Sequence, residues 1–163
     1  MELINQILLD LEQKIAHEHA QRIGNEFPTI SKTKITILGQ FSLLANPKVS
    51  ALLTLTATVD VDALIQGDWK IIASFKEILT KYGLHYDEDS ALIWIPEGSK
   101  FDIIYDSPTL ICEVIDPMHA ILSKAIKARE RNKILVRDAI AVFGKPLVEL
   151  IKKFGGDPEF FLK

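Results

Sequence analysis

The chain of 163 residues has one cysteine, Cys112, inside the strand-like run LICEVI, so an internal disulfide and a thiolate metal cluster are both excluded. A reducing, cytoplasmic compartment is therefore expected. The first residues lack a basic segment followed by a continuous apolar core, and no apolar run nears the roughly 20 residues of a membrane span, so neither leader nor anchor is expected. Gly39, Gly67, Gly83 and Gly98 are isolated, which leaves no Walker loop and no dinucleotide fingerprint. A large charge excess is missing too. The net charge is −3, so any polyanion has to be met by a local patch. With 48% apolar and 25% charged residues, the composition is that of an ordinary folded domain, and the length fits one.

What is present is a succession of patterned segments. Leu3, Ile4, Ile7, Leu8, Leu11, Ile15 and Ile23 form one stripe, predicting an amphipathic helix over 3–23. ITIL reads as a short strand closed by Gly39, and residues 40–55 fit helix or strand, with Pro47 interrupting. TATVDVDALI reads as a strand, because Thr56, Thr58 and Val59 favour pleated backbone and Asp weakens a helix interior. Asp68 caps a helix over 69–82 that stops at Gly83. LHYDEDSALIWIP predicts a hairpin turning at Asp87 to Ser90, and FDIIYDSPTLICEVI two strands around Ser107-Pro108. Asp116 and Pro117 open a helix that continues to about residue 143, and a last helix covers 147–154. Strands gathered in the middle with helices at both ends predict one α+β domain, loosely α/β: a small mixed sheet over about 34–115, with C-terminal helices over about 117–154.

Asp60 and Asp62 stand out in the strand TATVDVDAL. Alternation puts both side chains on one face, with Cα atoms about 6.6 Å apart. Two like charges at that spacing repel unless a cation neutralises them, and oxygen-seeking divalent ions do so. The alternative is that both lie on the wet face of an edge strand, where acids discourage edge pairing.

ILGQFSLL, followed some twenty residues on by TVDVDAL, resembles the nucleotidyltransferase fold shared with DNA polymerase beta: an apolar strand, Gly-Gly or Gly-Ser, a helix, then a strand with Asp-x-Asp. The stretch from WIPEGSKFDIIYD to ILVRDAI is similar to the small bacterial branch of that superfamily, which includes relatives of the nucleotidyltransferase toxins of toxin–antitoxin systems. The resemblance covers roughly residues 34 to 143. It implies that Gly39 approaches the nucleotide phosphates with Ser42 nearby, and that Asp60 and Asp62 hold Mg²⁺ or Mn²⁺. It implies a third acid from a neighbouring strand, either Asp102 in FDII, slightly preferred, or Glu113 in CEVI. Lys124 matches the helix lysine of that branch and would steady the phosphates. The pattern is broken at Gln40, in the second glycine position, at Thr56, where many members of the branch carry arginine, and at Asn132, where aspartate is common.

Residues 124–137 carry Lys124, Lys127, Arg129, Arg131, Lys133 and Arg137 against Glu130 alone. On a continuous helix Lys124, Lys127 and Arg131 share a face suited to a triphosphate or an RNA backbone; a solvated helix face is the plainer reading. His17 and His19 sit about 200° apart on a helix and cannot easily share an ion. The resemblance implies transfer of a nucleotidyl group from an NTP to a hydroxyl on RNA, protein or a small molecule. The three departures favour the alternative of a binding or regulatory module without turnover, such as a toxin–antitoxin component acting with a partner protein or a second copy.

Overall fold

The computed structural model describes residues 2–163. Glu2–Gly24 form helix α1, whose Ile4, Ile7, Leu8, Leu11 and Ile15 are all buried at helical spacing. Strand β1, Thr33–Ile37, leads into α2, Gly39–Ala45, and α3, Pro47–Ser50. The ambiguous stretch is thus helical as far as Ser50 and irregular beyond it. Asn46 divides it, its side chain accepting the Lys48 N–H while Pro47 takes the first helical position. Then follow β2, Asp60–Val61; β3, Ala63–Gln66; α4, Trp69–Lys81; β4, His85–Tyr86; a 3₁₀ turn, Ser90–Leu92; β5, Phe101–Asp106; and β6, Leu110–Ile115. Helices α5, Pro117–Lys127; α6, Lys133–Phe143; α7, Lys145–Lys153; and α8, Glu159–Leu162, close the chain. The class is α+β, as the pattern predicts. Among the described residues no helix is long and apolar enough to cross a membrane.

The main sheet has the order β3-β1-β6-β5, with β1 and β6 parallel and the two outer strands antiparallel to them. A second ribbon pairs β2 with β4 in parallel. Since only Asp62 separates β2 from β3, one extended segment is held on one side by β1 and on the other by β4. Ile35, Ile37, Cys112, Val114 and Ala63 bury against Leu8, Leu11, Phe75 and Leu79 of α1 and α4. Leu38, Leu64, Ile115 and Phe101 belong to a second cluster with the helices α5 to α8, including Ile121, Leu147 and Phe161. Helix α2 serves both, giving Phe41 and Ala45 to the first cluster and Leu43 to the second.

Three sequence expectations differ from the structure. Residues 56–59 join no ladder, because β1 ends at Ile37, opposite Ala63; the segment is held instead at Thr56, by Gln40, and at Val59, whose carbonyl accepts the His85 N–H at 2.6 Å. The hairpin at Asp87 to Ser90 does not form: after β4 the chain turns, and Ile93 and Ile95 leave the sheet to pack with the C-terminal helices. The helix expected over 117–143 breaks at Ala128. Like charges at Lys127 and Arg131, and at Arg129 and Lys133, would stand four apart on a continuous helix, and the Asn132 amide donates to the Ala128 carbonyl instead. Arg131 therefore does not extend the face of α5.

Asp68 fixes how α4 meets α1. Its carboxylate accepts the Lys70 N–H at 2.9 Å and the Arg22 guanidinium at 2.9 Å. Asp68→Ala should cost about 1–2 kcal/mol and several degrees of melting temperature, and Asp68→Asn, which keeps the cap, clearly less. Thermal melts of the two variants decide it; equal losses would show that the ion pair, not the cap, carries the effect.

Candidate active site

Alternation does put Asp60 and Asp62 on one side: Val61 between them is fully buried, Asp60 is exposed and Asp62 half-buried. The main chain of Asp62 is fixed by the Leu38 N–H, which donates to its carbonyl at 2.8 Å. Its side chain lies against Gly39. That glycine has φ +60°, and a Cβ built on it would fall 2.0 Å from Asp62 Oδ2. Glycine is needed here for the left-handed backbone and for the close approach of the carboxylate.

A third carboxylate comes from β4. Asp60 pairs with His85 and Val61 with Tyr86, and the next residue, Asp87, donates its N–H to the Val61 carbonyl at 3.0 Å. This sets Asp87 beside Asp62, with the two carboxyls within hydrogen-bonding reach. Burial pushes the Asp62 carboxyl up to about 6, and the neighbouring Asp87 and, more weakly, Asp60 add to the rise. The Asp87 turn is pinned from below: Ser90, buried, donates to the Asp87 carbonyl and accepts the Ala63 N–H at 3.0 Å, while the Tyr86 hydroxyl donates to the Ala63 carbonyl at 2.9 Å. The sequence reading gives Asp87 and Ser90 only a turn and places neither at the carboxylate pair. DEDS looks like turn chemistry, and the usable signal was LHYD, a strand ending in an acid just after a helix and its glycine stop.

Lys124 of α5 faces the same carboxylates. Burial lowers its pKa, nearby Arg131 lowers it further, and Asp62 opposes them. The other expected residues lie apart. Ser42 is fully buried, and its hydroxyl donates to the Gly39 carbonyl at 2.7 Å. Asp102 stands on β5, in register with Val114, Ile37 and Ala63, so it lies three strands from β3 and on the sheet face opposite Asp62. That is about 14 Å at ordinary strand spacing. Asn46 and Lys48 both donate to Asp102. Glu113 shares the face of Asp62 but two strands across, where it accepts Thr36 Oγ1 and Lys34 Nζ, each at 2.8 Å. Of the two sequence candidates for the third acid, neither is brought to the pair. The departures also have local roles: Gln40 donates to the Thr56 carbonyl at 3.2 Å, tying α2 to the loop before Asp60, and Asn132 stands at the start of α6. Cys112 is buried with its thiol pushed up to about 12, first by burial and then by Glu113, so it is no nucleophile.

No protein-family model, no curated protein and no solved structure matches this chain.

Because the Asp62 pKa is raised in the folded state, the proton stabilises the fold. That contribution is complete below about pH 4 and is lost as pH rises through about 6. Asp62→Asn should therefore melt like the wild type at pH 4 and be more stable at pH 8, by roughly 1–2 kcal/mol once solvent screening is allowed for. Melts across that range measure it, and a constant difference would remove the repulsion from the account. Gly39→Ala should cost about 1–2 kcal/mol through its backbone conformation, plus a clash that disappears in an Asp62→Ala background. A double-mutant cycle without coupling would place the Gly39 constraint in the backbone alone.

Proposed function

We propose that the chain is a metal-dependent nucleotidyltransferase with its centre at Asp62 and Asp87. The observation that carries this reading is the contact of the Asp62 and Asp87 carboxyls beside Gly39, with half-buried Lys124 on the same side. Such crowding raises the cost of ionising both acids, and a hard divalent cation relieves it. Among the described residues no group of three or more acidic, histidine or cysteine side chains is placed to hold a metal ion, so the protein offers at most a carboxylate pair. Mg²⁺ is usually held by one or two carboxylates with the substrate phosphates and water completing its shell, so the donor set fits. Asp62 and Asp87 would hold the ion, and the bound metal would supply charge neutralisation at the reacting phosphate.

The chain's own groups would do the rest. The acceptor hydroxyl oxygen attacks the α-phosphorus of the NTP; a new O–P bond forms as the bond to pyrophosphate breaks, and pyrophosphate leaves with the electron pair. A carboxylate oxygen of the Asp62–Asp87 pair that the ion leaves free takes the hydroxyl proton. Lys124, whose ammonium is already partly desolvated, steadies the departing phosphates. A catalytically silent nucleotide-binding module is the second reading, favoured by burial of Ser42 and by the Gln40 tie to Thr56, which leave fewer free donors at the start of α2.

Thermal unfolding with each NTP and Mg²⁺ tests both readings. A nucleotide at about 100 times its Kd should add roughly 2.7 kcal/mol, and this increment should vanish in Asp62→Asn and in Asp87→Asn while it persists in Asp102→Asn. Pyrophosphate release then separates transferase from silent module. No nucleotide-dependent increment under any condition would refute the assigned site.

A further inference from the structure

The charges of this chain are sorted along its length. Residues 1–116 hold nine Lys and Arg against seventeen Asp and Glu, whereas residues 117–163 hold ten against five. The modest overall charge of −3 therefore hides a sheet half at −8 and a C-terminal helical part at +5. Pairing sharpens the contrast. Of the basic residues before 117, seven of the nine are in ion pairs among the described residues; after it, three of the ten are.

The uncompensated cations meet aromatic rings. Lys127 Nζ lies 5.1 Å from the centre of the Trp94 ring, the Trp94 ring packs edge-on to Phe154 at 5.8 Å, and Lys153 Nζ lies 5.9 Å from Phe154. Lys153 and Phe154, with Glu97 and Gly98, line an open cleft of about 470 Å³. This platform is joined to the carboxylate site. The Ser123 hydroxyl donates to the Trp94 carbonyl at 3.1 Å, and Ser123 precedes Lys124, the lysine facing Asp62. Lys127 is one turn further along α5, about 4.5 Å of axial rise.

We propose that this surface binds single-stranded RNA and delivers one of its ribose hydroxyls to Asp62 and Asp87 as the acceptor; the acceptor role rests on the transferase reading above. Cations alone would suit any polyanion. The rings they border favour nucleobases, which stack on aromatic faces where a carboxylate side chain gains nothing. An acidic peptide would find the charge and leave Trp94 and Phe154 unused.

A fluorescein-labelled 12-nucleotide RNA and a polyglutamate peptide of matched charge, titrated in EDTA without nucleotide, separate these partners. RNA should bind at least tenfold more tightly than the peptide, and its log affinity should fall with log salt at a slope of about −3 if roughly four phosphates are engaged. Trp94→Ala and the exposed double variant Lys127→Glu with Lys153→Glu should each weaken RNA binding tenfold or more, and Asp102→Asn, at the far strand, should not weaken it. The charge-reversed variant stands in should Trp94→Ala fail to fold. Equal affinity for both polymers, no RNA binding, or indifference to charge reversal would overturn the proposal. Adding labelled NTP and Mg²⁺ then distinguishes the two readings: label on the RNA supports both, RNA bound but unlabelled removes the transferase reading and leaves the surface, and label on protein alone removes the RNA acceptor.

Discussion

Two carboxylates, Asp62 and Asp87, meet at one end of this sheet with Asp60 at their rim, and the fold has to hold the pair there against its repulsion. Asp62 is the centre of the constraint. Its carbonyl receives the Leu38 N–H, its carboxyl occupies the space that any side chain on residue 39 would need, and Asp87 reaches it from the next strand. The neighbouring framework is correspondingly rigid, since Ser90 and Tyr86 both bond the main chain of Ala63, the residue after Asp62.

The apolar clusters explain why the repulsion is tolerated. Val61 and Ala63, on either side of Asp62, are fully buried against α1 and α4, so the segment cannot slip by one residue without exposing both and burying its acids. Leu38 and Leu64, flanking the same point, are bound into the cluster under α5 to α8. Helix α5 is thereby seated with Lys124 over the carboxylates, and the basic C-terminal part is brought up to the acidic sheet half as a consequence of packing.

Much of this was legible from local patterns. The stripe of α1, the Asp68 cap, the Gly83 stop and the strands around Ser107-Pro108 each follow from short-range chemistry, as does the shared side of Asp60 and Asp62. The third carboxylate was hidden for a physical reason. Asp87 belongs to DEDS, whose turn preference is real and is used, since Asp87 Oδ1 accepts the Asp89 N–H; what carries Asp87 to Asp62 is pairing across 24 intervening residues, which no local pattern encodes. Asp102 and Glu113 sit in better strand sequences, yet sheet order puts the first at the far edge and gives the second to Thr36 and Lys34. The break at Ala128 was missed because apolar periodicity persists through it while charge repulsion does not register in that pattern.

The carboxylates also report on assembly. Asp60 and Asp62 lie on one stretch of chain, but Asp87 arrives at the end of α4, through a two-residue strand whose position depends on how that helix is clamped to α1 by Arg22 at one end and Asp10 at the other. The Asp62–Asp87 pair is in this sense a marker of tertiary docking, present only where α4 is seated on α1.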